Sequence, residues 1–287
     1  MTSALLIDTF SLFFRAHHAL PVMSTQAGEP TSALYGFSSL LLKLLREQKG
    51  AALAFALDAP QATFRHERFE QYKAGRPATP SALSAQFGRL NQLLEALGVP
   101  VFRYPGFEAD DVLATLAERA RSTAAPALVV SGDRDMLQLA HGTVRVYFVG
   151  RRGKDALIYD EAKVLERFGV PPQKLPSYVA LLGDPSDNLP GVAGIGAVTA
   201  RKLLESKADC QALLSDLPAI KNASVREQLS SHREQILETE ALARLRDDVP
   251  LEAAWAAPTR DALHALRAVF SELEFKSLVT RLDALLR

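Results

Sequence analysis

Residues 99–117 read VPVFRYPGFEADDVLATLA, and they hold a pattern that repeats through the first half of the chain. An apolar run with aromatic and β-branched residues (99–104) ends at a Pro-Gly turn. Beyond it the apolar positions Val112, Leu113, Leu116 and Ala117 recur three and four apart, the period of a helix. Strand, turn and helix in that order is the unit of a parallel sheet covered by helices. The same alternation extends outward in both directions. Residues 4–7, 51–57 and 127–131 read as further strands, and 144–149 with 156–159 as a pair that can be antiparallel. Residues 31–48, 81–97 and 109–122 read as amphipathic helices. KAGRPATP (73–80) combines Gly, Pro and basic residues and reads as a mobile loop, and RRGK (151–154) as a solvated hairpin turn.

Near residue 160 strand signals fade. Helices are expected at 160–168, 173–182, 197–206, 224–245 and, with a break, 259–286. The expected fold class is α/β: a mostly parallel twisted sheet flanked by helices over residues 1–160, followed by a helical region over 161–287.

The acids recur where these strands end. Asp8 follows ALLI, Asp58 follows ALAFAL, and Asp133 and Asp135 follow ALVVSG. In an open parallel sheet the C-terminal strand ends share one edge, where ligands bind near the topological switch point. Glu108, Asp110 and Asp111 begin a helix at the same edge. Glu108 and Asp111, three apart, share a helix face, with Asp110 turned about 100° away. Asp184 and Asp187 repeat the three-residue spacing. Singly, such acids serve as helix caps and turn formers, but capping does not predict their recurrence at successive strand ends. Two carboxylates 4 Å apart repel by roughly 4 kcal/mol at an effective dielectric near 20, so a tight cluster takes up protons or binds cations. With no His or Cys at ligand spacing, an all-oxygen donor set favours Mg²⁺ or Mn²⁺ over Zn²⁺. Two such ions are a recurring arrangement for phosphodiester cleavage.

Composition narrows the classes. There are 33 Lys+Arg against 33 Asp+Glu, for a net charge of zero, which excludes binding of nucleic acid by bulk charge alone. Setting the nine site acids aside leaves 24 acidic against 33 basic residues, so the neutral total describes an acidic pocket in a basic protein. The one cysteine, Cys210, reads as a small buried apolar residue. No secretory leader and no run of about 18 apolar residues is present, so no membrane span and a cytoplasmic location are expected.

The quoted residues carry a family resemblance. LLIDTFSLFFRAHHALP (5–21), GEPTSALYGF (28–37), FALDAPQATFRHERFEQYKAGRP (55–77), GFEADDVLATLA (106–117), SGDRDMLQL (131–139), GDPSDNLPGVAGIGAVTARKLL (183–204) and ELEFKSLVTRL (272–282) stand in the order found in bacterial 5'-nucleases. The chain resembles the N-terminal 5'-3' exonuclease domain of DNA polymerase I and the related flap endonucleases, here as a free-standing chain. The resemblance implies a PIN/5'-nuclease-like core with a first divalent ion near Asp8, Asp58 and Glu108. It implies a second near Asp110, Asp133, Asp135 and Asp187, with Asp111 and Asp184 as supporting ligands. Thr9 after Asp8 departs from the family's usual glycine.

The resemblance also implies a helical arch or gateway at about 61–82, disordered until DNA binds. Lys73 and Arg76 would stabilise charge on the scissile phosphate, and Tyr72 would stack on a base. Arg65 and Arg15 would contact DNA. Gly191, Gly194 and Gly196 are spaced G-x-x-G-x-G with no preceding strand, which does not fit a dinucleotide fingerprint. They look like a helix-hairpin-helix (H3TH) motif at about 184–206, where backbone amides meet a DNA phosphate, K⁺ bridges and Lys202 adds a contact. The implied activity is cleavage of DNA at 5' ends, flaps or nicks, including RNA-DNA primers, in replication and repair. The implied form is a monomer working beside a polymerase or other replication proteins. A PIN-type ribonuclease and a non-catalytic DNA-binding module are the alternatives.

Overall fold

A computed structural model describes residues 4–150 and 156–287; the turn expected at 151–154 lies outside the described residues. Six strands, β1 (Ala4–Asp8), β2 (Ala52–Ala56), β3 (Val101–Phe102), β4 (Ala127–Ser131), β5 (Val144–Phe148) and β6 (Leu157–Tyr159), form one sheet in the order β3-β2-β1-β4-β5-β6. All neighbours are parallel except the antiparallel pair β5 and β6, as the sequence suggested. Chain order reverses between β1 and β4, so the switch point lies where Asp8 and the Ser131–Asp133 turn meet.

The helices are α1 (Thr9–Ala19), α2 (Ser32–Glu47), α3 (Phe64–Arg68), α4 (Ser81–Ser84), α5 (Phe87–Leu97), α6 (Ala109–Ser122), α7 (Glu161–Phe168), α8 (Leu175–Leu182), α9 (Ala197–Leu204), α10 (Cys210–Ser215), α11 (Ala223–Ser231), α12 (Arg233–Ala243), α13 (Arg260–Glu272) and α14 (Lys276–Leu286). Strand residues point alternately to the two faces. Leu6, Ala54, Val129 and Val146 bury against α6 and the helices α7 to α12, and Leu5, Ile7, Leu53, Phe55 and Val130 against α1, α2, α5, α13 and α14. The last two helices therefore return to the face opposite the rest of the helical region.

Several expected helices are interrupted. Residues 81–97 break at Gln86, whose buried side-chain oxygen Oε1 accepts the amides of Ala33 and Leu34 at 3.0 and 3.2 Å, capping α2. Residues 224–245 break at His232, and the break expected within 259–286 falls at Leu273–Phe275, where Glu274 takes φ 60°. The expected arch carries only the short helices α3 and α4, joined by turns and extended chain.

Candidate active site

Asp8 ends β1 and caps α1, accepting the Ser11 amide at 3.2 Å. It is 3% exposed. Ser131, the last residue of β4, donates its hydroxyl to Asp8, and its oxygen accepts the Asp133 amide at 2.8 Å. Asp133 in turn accepts the Asp135 amide at 3.0 Å. One buried serine thus ties the acids of two adjacent strand ends together. Asp58, past β2, accepts the Ala109 amide at 2.8 Å and so fixes the start of α6. Asp8, Asp58, Glu108, Asp110 and Asp133 line a single cleft of about 1400 Å³, together with Arg15, Lys73 and Arg76.

Burial, with repulsion from Asp133 and Asp58 added, pushes the Asp8 carboxyl up to about 7. Asp110 is raised well above the usual carboxylate range by burial and by the charges of Asp8 and Asp133. Asp135 is raised by burial and by Asp133, Asp187 and Asp184. The acids form one continuous line of mutually repelling charge from Asp58 to Asp187. All donors are oxygen and the repulsion is relieved by positive charge, so the set fits hard divalent cations. Among the described residues no three of these acids already close into a ligand cage.

The far side of the cleft is built from loops. After α8, Gly183 takes φ 79°, and an antiparallel bridge between Asp184 and Leu189 closes a turn that presents Asp187. Asp184 accepts the amide and hydroxyl of Ser186 at 2.8 and 2.7 Å. Asp187 accepts from the Tyr72 hydroxyl at 2.9 Å and from Arg76 at 2.7 Å. Lys73 Nζ lies 2.6 Å from Glu108 Oε1 and 3.7 Å from Asp187 Oδ2. Burial opposes the charge on Asp187, but Lys73 and Arg76 outweigh it and hold the carboxyl below its ordinary value. Burial likewise opposes the charge on Lys73, and Glu108 and Asp187 outweigh it, so its ammonium is held more firmly than usual. Lys73 adopts φ 57°, a left-handed conformation costing roughly 1–2 kcal/mol in a non-glycine residue.

Three expected site residues face inward in this structure. Asp111 is 0% exposed, and its two oxygens accept Arg65 twice, the Glu108 amide and the Arg246 amide, leaving no face for a cation or its water. Arg65 is 1% exposed and turned inward, away from any phosphate. Tyr72 is 4% exposed, with its hydroxyl on Glu108 and Asp187, so its ring is not offered to a base in this arrangement. Arg15 lies across Gly132, donates to its carbonyl and stands over the Phe148 ring at 5.4 Å. A β-carbon at Gly132 would strike the Arg15 side chain. Ser131 and Ser11, whose hydroxyl accepts the Gly132 amide at 3.1 Å, were not anticipated. Their only signal is a small hydroxyl residue at a strand end or in the first helical turn.

The hairpin glycines divide by environment. A β-carbon at Gly191 would come within 2.3 Å of the Leu182 carbonyl, so this glycine permits close chain packing. Gly194 takes φ 78° and, like Gly196 at the N-cap of α9, faces open space. Their amides and the exposed Lys202 lie on an accessible surface.

Two family descriptions match nearly the whole chain: the 5'-3' exonuclease N-terminal resolvase-like domain over residues 3–169, and the 5'-3' exonuclease C-terminal SAM fold over 170–264. The chain belongs to the 5'-3' exonuclease family. DNA polymerase I of Bacillus caldotenax is 39% identical over 284 residues, a match covering 97% of this chain and 32% of that protein. The thermostable DNA polymerase I of Thermus filiformis is 40% identical over 277 residues, covering 96% and 32%. This 5'-3' exonuclease family chain thus spans about a third of the length of the curated relatives it matches. The bacteriophage T5 D15 protein, co-crystallised with metal ions, has the same fold, with a TM-score of 0.68 at 19% identity over 98% of both chains. The catalytic core of Rad2 in complex with a DNA substrate follows at 0.62 and 16%, over 98% of this chain and 92% of that one. In the 5'-3' exonuclease chain the second matched domain ends inside α13, shortly before the chain completes its return to the sheet.

Proposed function

We propose that the chain is a divalent-metal-dependent, structure-specific nuclease, acting on DNA as a 5'-3' exonuclease and 5'-flap endonuclease. The observation that carries this reading is the line of acids along one sheet edge, faced by Lys73 and Arg76. Asp8, Asp58, Glu108, Asp110, Asp133, Asp135 and Asp187 would hold two ions, Mg²⁺ or Mn²⁺, with Asp184 in support. Such ions, when bound, supply positive charge to the phosphate oxygens and acidify an attacking water.

Hydrolysis forms one phosphorus–oxygen bond from water and breaks the bond to the 3'-oxygen, leaving a 5'-phosphate and a 3'-hydroxyl. Lys73 and Arg76 turn from Asp187 and Glu108 toward the scissile phosphate, where fixed positive charge meets the charge that develops there. Arg15 lies along the path of the strand. The hairpin amides at Gly194 and Gly196, with Lys202 and a K⁺ at the hairpin carbonyls, grip the duplex backbone. The substrates are DNA with 5' ends, flaps or nicks, RNA-DNA primers included. The protein acts as a monomer in the cytoplasm, beside a DNA polymerase, in replication and repair. Among the described residues no helix is long and apolar enough to cross a membrane.

A 5'-labelled flap duplex, incubated with Mg²⁺ or with chelator, tests the reading. Cleavage at the flap junction should require Mg²⁺. Asp133→Asn should abolish it and leave DNA binding intact, whereas near-normal cleavage by that variant removes the metal assignment. Preferential cutting of single-stranded RNA would favour the PIN-type ribonuclease.

A further inference from the structure

Arg65 heads the largest fully buried side chains of the described residues, and it belongs to neither the acid line nor the cleft wall. A guanidinium has five N–H donors, and here each has a partner. Nε donates to the Leu242 carbonyl at 2.8 Å and Nη2 to the Arg244 carbonyl at 3.0 Å. The remaining three go to Asp111 Oδ2 at 2.7 Å, Asp111 Oδ1 at 2.8 Å and Glu108 Oε2 at 3.1 Å. No donor is left for a phosphate.

One carbonyl is in the last turn of α12 and the other at its C-cap, where a helix leaves carbonyls without partners. The first turn and the middle of α12 hold the hairpin. Gln235 donates to the Gly191 carbonyl at 3.1 Å, and Thr239 to the Pro190 carbonyl at 3.4 Å. Asp111 completes the junction by accepting the Arg246 amide at 2.9 Å. One helix therefore links the hairpin proposed to grip duplex DNA to an arginine bonded to one of the proposed cation ligands.

We propose that Arg65 is a positioning residue, which fixes the Glu108 carboxylate in register with the hairpin by clamping the C-terminal end of α12 onto the first turn of α6. The inference rests on the reading of Glu108 as a cation ligand. Partners that orient a ligand in this way typically hold 10- to 100-fold in metal affinity. Lysine keeps the charge but cannot reproduce a planar fork that bonds two carboxylates and two carbonyls.

The test titrates Mn²⁺ into the metal-free full chain by calorimetry, below its melting transition, and measures flap-DNA binding in chelator separately. Arg65→Lys should weaken cation affinity about 10- to 100-fold and leave DNA affinity unchanged. Raising the Mn²⁺ concentration should restore cleavage. A folded Arg65→Lys protein with wild-type cation affinity overturns the inference, as does a loss confined to DNA affinity. A purely structural role would lower the melting temperature without moving either affinity. If Arg65→Lys does not fold, Asp111→Asn, which keeps Arg65 and the local shape, must show the same cation deficit. Glu108→Gln separates the two readings. It should weaken cation binding at least as much, and Arg65→Lys added to it should weaken it no further. Unchanged affinity in Glu108→Gln removes the ligand reading itself, whereas a loss there with none in Arg65→Lys removes only the positioning role.

Discussion

At the ends of β1 and β4, Asp8, Asp133 and Asp135 stand beside one another, and among the described residues Asp8 and Asp133 accept from hydroxyl and amide donors, whereas Asp187, in the loop after α8, is enclosed by Tyr72, Lys73 and Arg76. The first group is held by strand ends whose positions follow from the sheet ladder. The second is held by two loops from distant parts of the chain, tied through the Lys73 amide to the Asp187 carbonyl at 3.1 Å and Asn188 to the Gln71 carbonyl at 2.9 Å. Their electrostatics run in opposite directions. Burial and repulsion raise Asp8 and Asp135, while the adjoining cations lower Asp187. The sheet side is thus a cluster of buried carboxyls that repel one another. The loop side carries the protein's own cations, Lys73 on Glu108 and Arg76 on Asp187.

Lys73→Ala breaks the loop side. If Lys73 supplies charge to the scissile phosphate, kcat on a flap substrate should fall by about 10²–10³-fold, with only a modest loss of DNA affinity. A change confined to affinity would make Lys73 an anchor and leave the sheet side to do the chemistry alone.

The sheet side predicts a pH dependence. Asp8 has a carboxyl raised from 3.8 to about 7, so between these values the folded protein binds more protons than the unfolded chain. In the metal-free protein this group's stabilisation is complete below pH 3.8 and is lost as the pH rises to about 7, at up to about 1.4 kcal/mol per pH unit. Thermal unfolding in chelator should therefore show this loss, Asp8→Asn should flatten it, and Mg²⁺ should raise Tm more at pH 8 than at pH 5. A Tm increment from Mg²⁺ equal at both pH values would mean that the sheet side is not the cation site.

The same contrast explains what could be read from residues alone. Strand-end acids were legible because an apolar run followed by Asp is a local pattern, and the sheet converts local order into spatial convergence. The helix face shared by Glu108 and Asp111 was also legible, and both do meet Arg65. What met that face was not legible. Arg65 comes from α3 and the carbonyls of Leu242 and Arg244 from the end of α12, and no local spacing relates them. Mixed charges along residues 65–70 look like a solvated helix, so an inward-facing arginine was indistinguishable from an outward one. The burial of Tyr72 was not legible either, since the chain about Lys73 turns through a left-handed residue that no glycine announces. The helix α1 went unread because its phenylalanines continue the apolar run of β1.

The smallest effect concerns the hairpin, which lies outside both sides of the cleft. Lys202 is exposed on α9, six residues beyond the Gly196 N-cap. A lysine there that contacts a phosphate contributes by releasing a counterion, independently of base sequence. Lys202→Ala should weaken flap-DNA binding uniformly across sequences and make the salt dependence shallower by about one contact. The cleavage rate at saturating DNA should not change, because neither the acid line nor Lys73 is touched. An unchanged salt slope would mean that the open amides at Gly194 and Gly196 hold the phosphate unaided. A fall in the saturated rate would instead tie the hairpin to the chemistry, and the path for such coupling runs through Gln235, α12 and Arg65.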